Sequence, residues 1–138
     1  HLSLRRQRQM CIRDSFIAIG NNPKKDRYFN VSLIKEKIDN LYEDNSKINV
    51  INYNKLTASL AKDLNANFIL RGLRNTTDFE FENSISQINK DLNSNLETVF
   101  LITSPKLAPI SSTIIRDVIR YGGNIHQYLP YKIKLDEK

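Results

Sequence analysis

From Phe16 onward the chain alternates between two hydrophobic periods, and this alternation constrains its fold more than any other feature. "FIAIG" (16–20) is a short apolar run closed by a glycine, the pattern of a strand buried on both faces. "NVSLIKEKIDNLY" then carries Leu33, Ile34, Ile38 and Leu41 at helical spacing, with Asn30 or Ser32 able to cap it. "INVINY" (48–53) is a second strand, and Leu56, Leu60, Ala61 and Leu64 mark a second helix. "NFILRGL" (67–73) is a third strand, followed by a helix from Thr77 to about Asn93. "TVFLITS" (98–104) is a fourth strand. "SSTIIRDVIRYGG" closes the set with Ile114, Ile115, Val118 and Ile119 on one helical face and Gly122 or Gly123 as its stop. The end of the chain reads as a short helix or a frayed tail.

Strands that alternate with helices are joined by crossovers, which gives an α/β fold: an open parallel sheet with helices on both faces. All strands of such a sheet point the same way, so the loops leaving their C-terminal ends share one edge, and ligands bind there. With 138 residues, 40% of them hydrophobic, there is enough chain for one compact domain and too little for two.

The net charge of +6 invites a nucleic-acid or membrane reading, but the charge is uneven. "HLSLRRQRQMCIRDS" (1–15) holds Arg5, Arg6, Arg8 and Arg13 against Asp14, so residues 16–138 keep 17 basic and 14 acidic side chains, a net +3. This is weak support for a polyanion-binding surface, and no nucleic acid is expected as a partner. No run approaches the roughly 18 apolar residues of a membrane span, and the early arginines lack the apolar segment of a secretory signal. The single cysteine, Cys11, excludes a disulfide framework. A cytoplasmic protein is expected. Residues 1–15 fit neither hydrophobic period and lack an initiator Met; "RRQRQMCIRDS" resembles translated adapter sequence. The domain is therefore drawn over 16–138, incomplete at its N-terminus, with 1–15 set apart as a doubtful segment.

Polar residues collect on the shared edge. Lys24 and Lys25 follow the first strand, Arg71 and Arg74 follow the third, and Ser111, Ser112 and Thr113 open a helix after the fourth. Each has an ordinary reading: a lysine pair is usually a solvated surface, an arginine at a strand end is usually solvated too, and hydroxyls before an apolar helix usually cap it. Those readings do not account for all three falling on one edge. Arginine forks match phosphate oxygens, a helix N-terminus attracts anions, and Gly72 between the arginines lets a ligand approach the backbone. Together they suggest a cradle for several phosphates. Asp78, Glu80 and Glu82 are best read as carboxylates complementing a helix dipole, which leaves no protein metal site, and His126 as a surface residue.

At "RGLRNTTDFEFE", "ETVFLITS" and "ISSTIIRDV", and in the "AIGNNPKK" loop, the chain resembles bacterial phosphopantetheine adenylyltransferases. The resemblance covers residues 16 to about 131. It implies a Rossmann-like nucleotidyltransferase fold and transfer of an adenylyl group from ATP to 4'-phosphopantetheine, giving dephospho-coenzyme A and pyrophosphate in coenzyme A biosynthesis. It also implies Mg2+ as cofactor and a homo-oligomer, a hexamer. Lys25 would contact phosphates and stabilise the transition state, with Thr57 and Arg71 on the acceptor side. Gly72, Leu73, Arg74, Glu82 and the run Leu107, Ala108, Pro109, Ile110, Ser111, Ser112 and Thr113 would lie on the ATP side. Phe81 stands where the family commonly has Tyr, "LAP" (107–109) where it has an aromatic, and Thr113 where it has Ser. The family's opening strand and the GxFDPxTxGH loop have no counterpart, and in its strand order that missing first strand is central. His1 precedes Gly20 by the family's spacing for the loop's catalytic His, a match that counts only if residues 1–15 belong to the domain.

Two alternatives stay open: an inactive nucleotide-binding fragment, and a related α/β nucleotidyltransferase with another phosphorylated acceptor.

Overall fold

The computed structural model describes residues 14–21 and 27–133. By its internal contacts the chain divides into two compact units. One comprises the residues up to Asn54 together with those from Gly122 onward, and the other is Lys55–Tyr121.

In the first unit, β1 (Ser15–Gly20) pairs in parallel with β2 (Ile48–Tyr53), in a register that sets Ile17 beside Val50 and Gly20 beside Tyr53. The close approach at the end of that register uses the absence of a side chain, since a Cβ on Gly20 would sit 3.3 Å from the Tyr53 hydroxyl oxygen. Between the strands runs α1 (Val31–Leu41), which packs on β2. Of the two residues able to cap it, Asn30 does so, its side-chain oxygen accepting from the Ser32 N–H at 2.9 Å. The tail contributes a short 3-10 helix, His126–Tyr128, and buries Ile125 and Ile133 almost completely. Tyr131 is half-buried there, and desolvation raises its pKa.

In the second unit, α2 (Thr57–Asp63) leads into β3 (Phe68–Leu73), α3 (Thr76–Leu92), β4 (Glu97–Ile102) and α4 (Ser112–Arg120). The turn after α2 is made by Asn65 in the left-handed region at φ 53°, which Asn tolerates better than most residues. β3 and β4 are parallel, with Arg71 beside Phe100 and Gly72 beside Leu101. The core is small: Ala58 and Ala61 of α2 close on Leu96, with Ala66 and Ile69 against them. Phe79 of α3 meets Phe100 edge to face, ring centroids 5.7 Å apart. Ile69 and Phe100 belong to one face of the pair. On the opposite face Phe68 and Leu70 are 63% and 65% exposed, so only one side of this pair is well covered. α4 ends where Gly122 takes a φ of 75°, the left-handed stop expected of glycine at that place.

The α/β fold and the parallel pairing agree with the alternation of periods. Among the described residues the strands form two two-stranded parallel sheets, β1–β2 and β3–β4. Neither β1 nor β3 has a second strand partner among the described residues.

Candidate active site

Because β3 and β4 are parallel, the segments that leave their C-terminal ends emerge on the same edge. Arg71, expected after the strand, lies within β3 two residues before its end, Arg74 follows the strand, and residues 103–111 leave β4 and turn into α4. A hydrogen bond joins the two segments: Arg74 Nη1 donates to the Ile110 carbonyl at 3.2 Å. Ile110 stands immediately before Ser111, the N-cap of α4. The Ser111 hydroxyl accepts from the Ile114 N–H at 3.2 Å, which is the capping role expected of a hydroxyl at that position. The N–H groups of Ser112 and Thr113, the two residues after the cap, have no protein acceptor among the described residues. The Thr113 hydroxyl accepts a long bond from Arg116 at 3.4 Å.

The acids after β3 do more than complement a helix dipole. Asp78 does stand in the first turn of α3, its N–H held by the N-cap Asn75 at 2.8 Å. Its carboxylate, however, accepts from Arg74 Nε at 2.8 Å and from Nη2 at 3.0 Å. That contact holds the Asp78 carboxyl below its usual range and raises the Arg74 guanidinium further, the side-chain hydrogen bond being the largest cause of both shifts. Four residues on, Glu82 reaches Arg71, with Oε2 3.3 Å from Nε. Glu80 is exposed and takes no such partner among the described residues.

Gly72 is open as expected. A Cβ there would meet only the Thr103 hydroxyl, at 4.0 Å, and its φ is not positive, so neither packing nor backbone strain demands a glycine. Leu73 is buried and anchors the strand end, while Leu107 and Pro109 are exposed and Ala108 half-buried in the turn before α4. That turn is closed by the Ser104 carbonyl, which accepts from Leu107 and Ala108 at 2.9 and 3.1 Å.

A groove of about 400 Å³ opens between the start of α2 and the side of α3. Leu56, Phe81, Ile85, Ile88 and Leu92 make its walls apolar, and Thr57, an expected substrate-side residue, also lines it. So does Asn89, the one buried polar side chain among the described residues, at 7% exposed. Its side-chain amide has no hydrogen-bond partner among those residues. Sequence reasoning missed Asn89, Ile85 and Ile88. The available signal was their spacing from Phe81, which sets them along one side of a helix, but that spacing reads equally well as a core-facing stripe.

His1, Lys24 and Lys25 lie outside the described residues. Of the three groups expected on one edge, two are therefore seen to converge, both within Lys55–Tyr121. Among the described residues no cluster of three His, Cys, Asp or Glu side chains could hold a metal ion, and no helix is long and apolar enough to cross a membrane.

Comparison with known proteins agrees with this geometry. Residues 1–118 match the model of the cytidylyltransferase-like family. The chain is 56% identical over 117 residues to the phosphopantetheine adenylyltransferase of Cytophaga hutchinsonii, a match covering 85% of this chain and 78% of the relative. It is 41% identical over 120 residues to that of Bacteroides thetaiotaomicron, covering 87% and 79%. With the enzyme of Prochlorococcus marinus subsp. pastoris the match extends over all 138 residues at 37% identity, covering 87% of the relative. A parallel α/β scaffold, two arginines at a strand end, a helix N-terminus beside them and relatives of one name at this identity lead to one assignment: the chain belongs to the phosphopantetheine adenylyltransferases of the cytidylyltransferase-like family.

Proposed function

We propose that this chain transfers an adenylyl group from ATP to 4'-phosphopantetheine, releasing pyrophosphate and forming dephospho-coenzyme A. The observation that carries the reading is the bond from Arg74 to the Ile110 carbonyl, which sets a guanidinium beside the opening turn of α4. An oxygen of the 4'-phosphate attacks the α-phosphorus of ATP; the new P–O bond forms as the bond to the bridging oxygen breaks, and pyrophosphate departs with that electron pair. No covalent enzyme intermediate is needed. The work of the chain is to position two polyanions that repel each other and to offset the charge that builds up between them.

In this reading Arg74, Gly72 and Leu73 serve the ATP side, where the resemblance also groups Glu82. The segment Leu107 to Thr113 joins them there, offering phosphate oxygens the free N–H groups of α4. Arg71 and Thr57 serve the acceptor; the roles that the resemblance gives Lys25 and, if residues 1–15 belong to the domain, His1 are at the reacting phosphates. The apolar groove suits the acceptor's arm, a flexible chain containing amides, with Asn89 as the amide that meets one of them. Mg2+, the cofactor the resemblance implies, would offset charge on the phosphates of the bound nucleotide. The reading also places the protein in the cytoplasm as a homo-oligomer, a hexamer, which light scattering on the purified protein tests.

Pyrophosphate release measured with ATP and 4'-phosphopantetheine together, and with each alone, tests the reaction. Release that requires both supports it. Release that needs a different phosphorylated acceptor, or none, overturns it.

A further inference from the structure

The arginines at the end of β3 are each held by a carboxylate of the helix that follows. Asp78 and Glu82 are four residues apart on α3, so they occupy one face of it, one above the other. Asp78 takes three hydrogen bonds from Arg74: from its backbone N–H at 3.2 Å, from Nε at 2.8 Å and from Nη2 at 3.0 Å. The Ile110 carbonyl takes a fourth, from Nη1 at 3.2 Å. Glu82 holds Arg71 through Nε at 3.3 Å. Ion pairs this exposed contribute little to stability, so folding alone is a poor account of two of them side by side.

Direction is a better account. An unheld arginine at a strand end samples many rotamers, and an anion that binds it has to freeze them. With its Nε and Nη2 edge on Asp78 and one Nη1 hydrogen on Ile110, Arg74 presents only its outer Nη hydrogens, in a single orientation. Arg71 meets Glu82 through Nε, and its Nη groups make no hydrogen bond to a described residue.

We propose that Asp78 and Glu82 are positioning residues, Asp78 aiming Arg74 at the nucleotide and Glu82 aiming Arg71 at the acceptor phosphate. The inference rests on the function proposed above. It departs from the resemblance in one respect: Glu82, grouped there with the ATP side, acts on the acceptor side through the arginine it touches.

The test is calorimetric titration of the full chain with ATP and, separately, with 4'-phosphopantetheine. It compares the parent with Asp78→Asn, Asp78→Ala and Glu82→Gln, each checked for folding by circular dichroism. The Asp78 variants are expected to raise the Kd for ATP by about tenfold and to leave that for phosphopantetheine within about twofold. Glu82→Gln is expected to do the reverse, and Asp78→Glu, which keeps the charge, to recover part of the ATP affinity. Tighter ATP binding by Asp78→Ala would mean that the carboxylate competes with phosphate, and would overturn the aiming role. Equal loss of both ligands, or loss of ATP alone in Glu82→Gln, would also overturn it. A parent chain that binds neither ligand would instead overturn the proposed function and the inference with it.

Discussion

Replacing Asn89 by Leu should move stability and acceptor binding in opposite directions. Asn89 is 7% exposed, and its side-chain amide finds no partner among the described residues, so folding desolvates a polar group without replacing its hydrogen bonds to water. Such a group costs roughly 1–3 kcal/mol by the measure of protein substitutions. Leu is close to Asn in size, keeps the helix, and joins walls already made by Phe81, Ile85, Ile88 and Leu92. The ligand-free protein should therefore gain about 1–3 kcal/mol, which at a urea dependence of roughly 1–3 kcal/mol per molar raises the unfolding midpoint by about 0.3 to 3 M. The same change removes the one buried amide the groove offers. A neutral hydrogen bond contributes about 0.5–1.5 kcal/mol, so the Kd for 4'-phosphopantetheine should rise roughly 2- to 13-fold while that for ATP stays level. Urea denaturation and titration calorimetry on the same preparations measure both. A midpoint that falls would show that the amide is satisfied in the folded protein. A higher midpoint with unchanged acceptor affinity would detach the groove from the acceptor and refute the reasoning that links them.

Gly72→Ala should leave the unfolding midpoint where it is, because the added methyl meets only Thr103 Oγ1 at 4.0 Å, yet weaken ATP binding by standing where the ligand approaches; a loss of stability would contradict the first half. Leu96→Ala should cost about 2–5 kcal/mol, since Leu96 is 2% exposed and is the large side chain between Ala58 and Ala61, and a cost under about 1 kcal/mol in a denaturant titration would remove it from the core. The depressed pKa of Asp78 gives a pH dependence of definite sign: the pairing with Arg74 contributes fully above the ordinary value of 3.8 and is lost only as pH falls through the lower folded value. Carbon-13 titration of the Asp78 carboxyl checks this, and a midpoint at or above 3.8 would sink it.

The elements were legible because each rests on a local signal. "INVINY" is β2 as written, and the apolar spacing of "SSTIIRDVIRYGG" delivered α4 with its cap at Ser111 and its left-handed stop at Gly122. Arg71, Arg74 and the Ser111 turn were legible as a pair of sites for a different reason: parallel strands put their C-terminal ends on one edge whatever the details of packing. The role of the acids was not. A carboxylate in a first helical turn suits the dipole whether or not an arginine lies within reach, so "DFEFE" reads the same in either case. Asn89 was hidden similarly, because a helical stripe that lines a groove and one that fills a core share a single period.

By itself, then, the sequence determined the kinds of element, their order, the parallel sense of the strands and the chemistry collected on their shared edge, all of which follow from periodicity, chirality and residue type. Only the tertiary structure decided which partner each of those groups takes. It gave Asp78 to Arg74, Glu82 to Arg71 and the Ile110 carbonyl to a guanidinium 36 residues earlier. Among the described residues it also set the strands in two pairs and left the side-chain amide of Asn89 without a partner beside a groove. Such choices depend on distances between residues far apart in the chain, set by how helices of particular length and side-chain volume close on a strand pair, and no local pattern carries those distances.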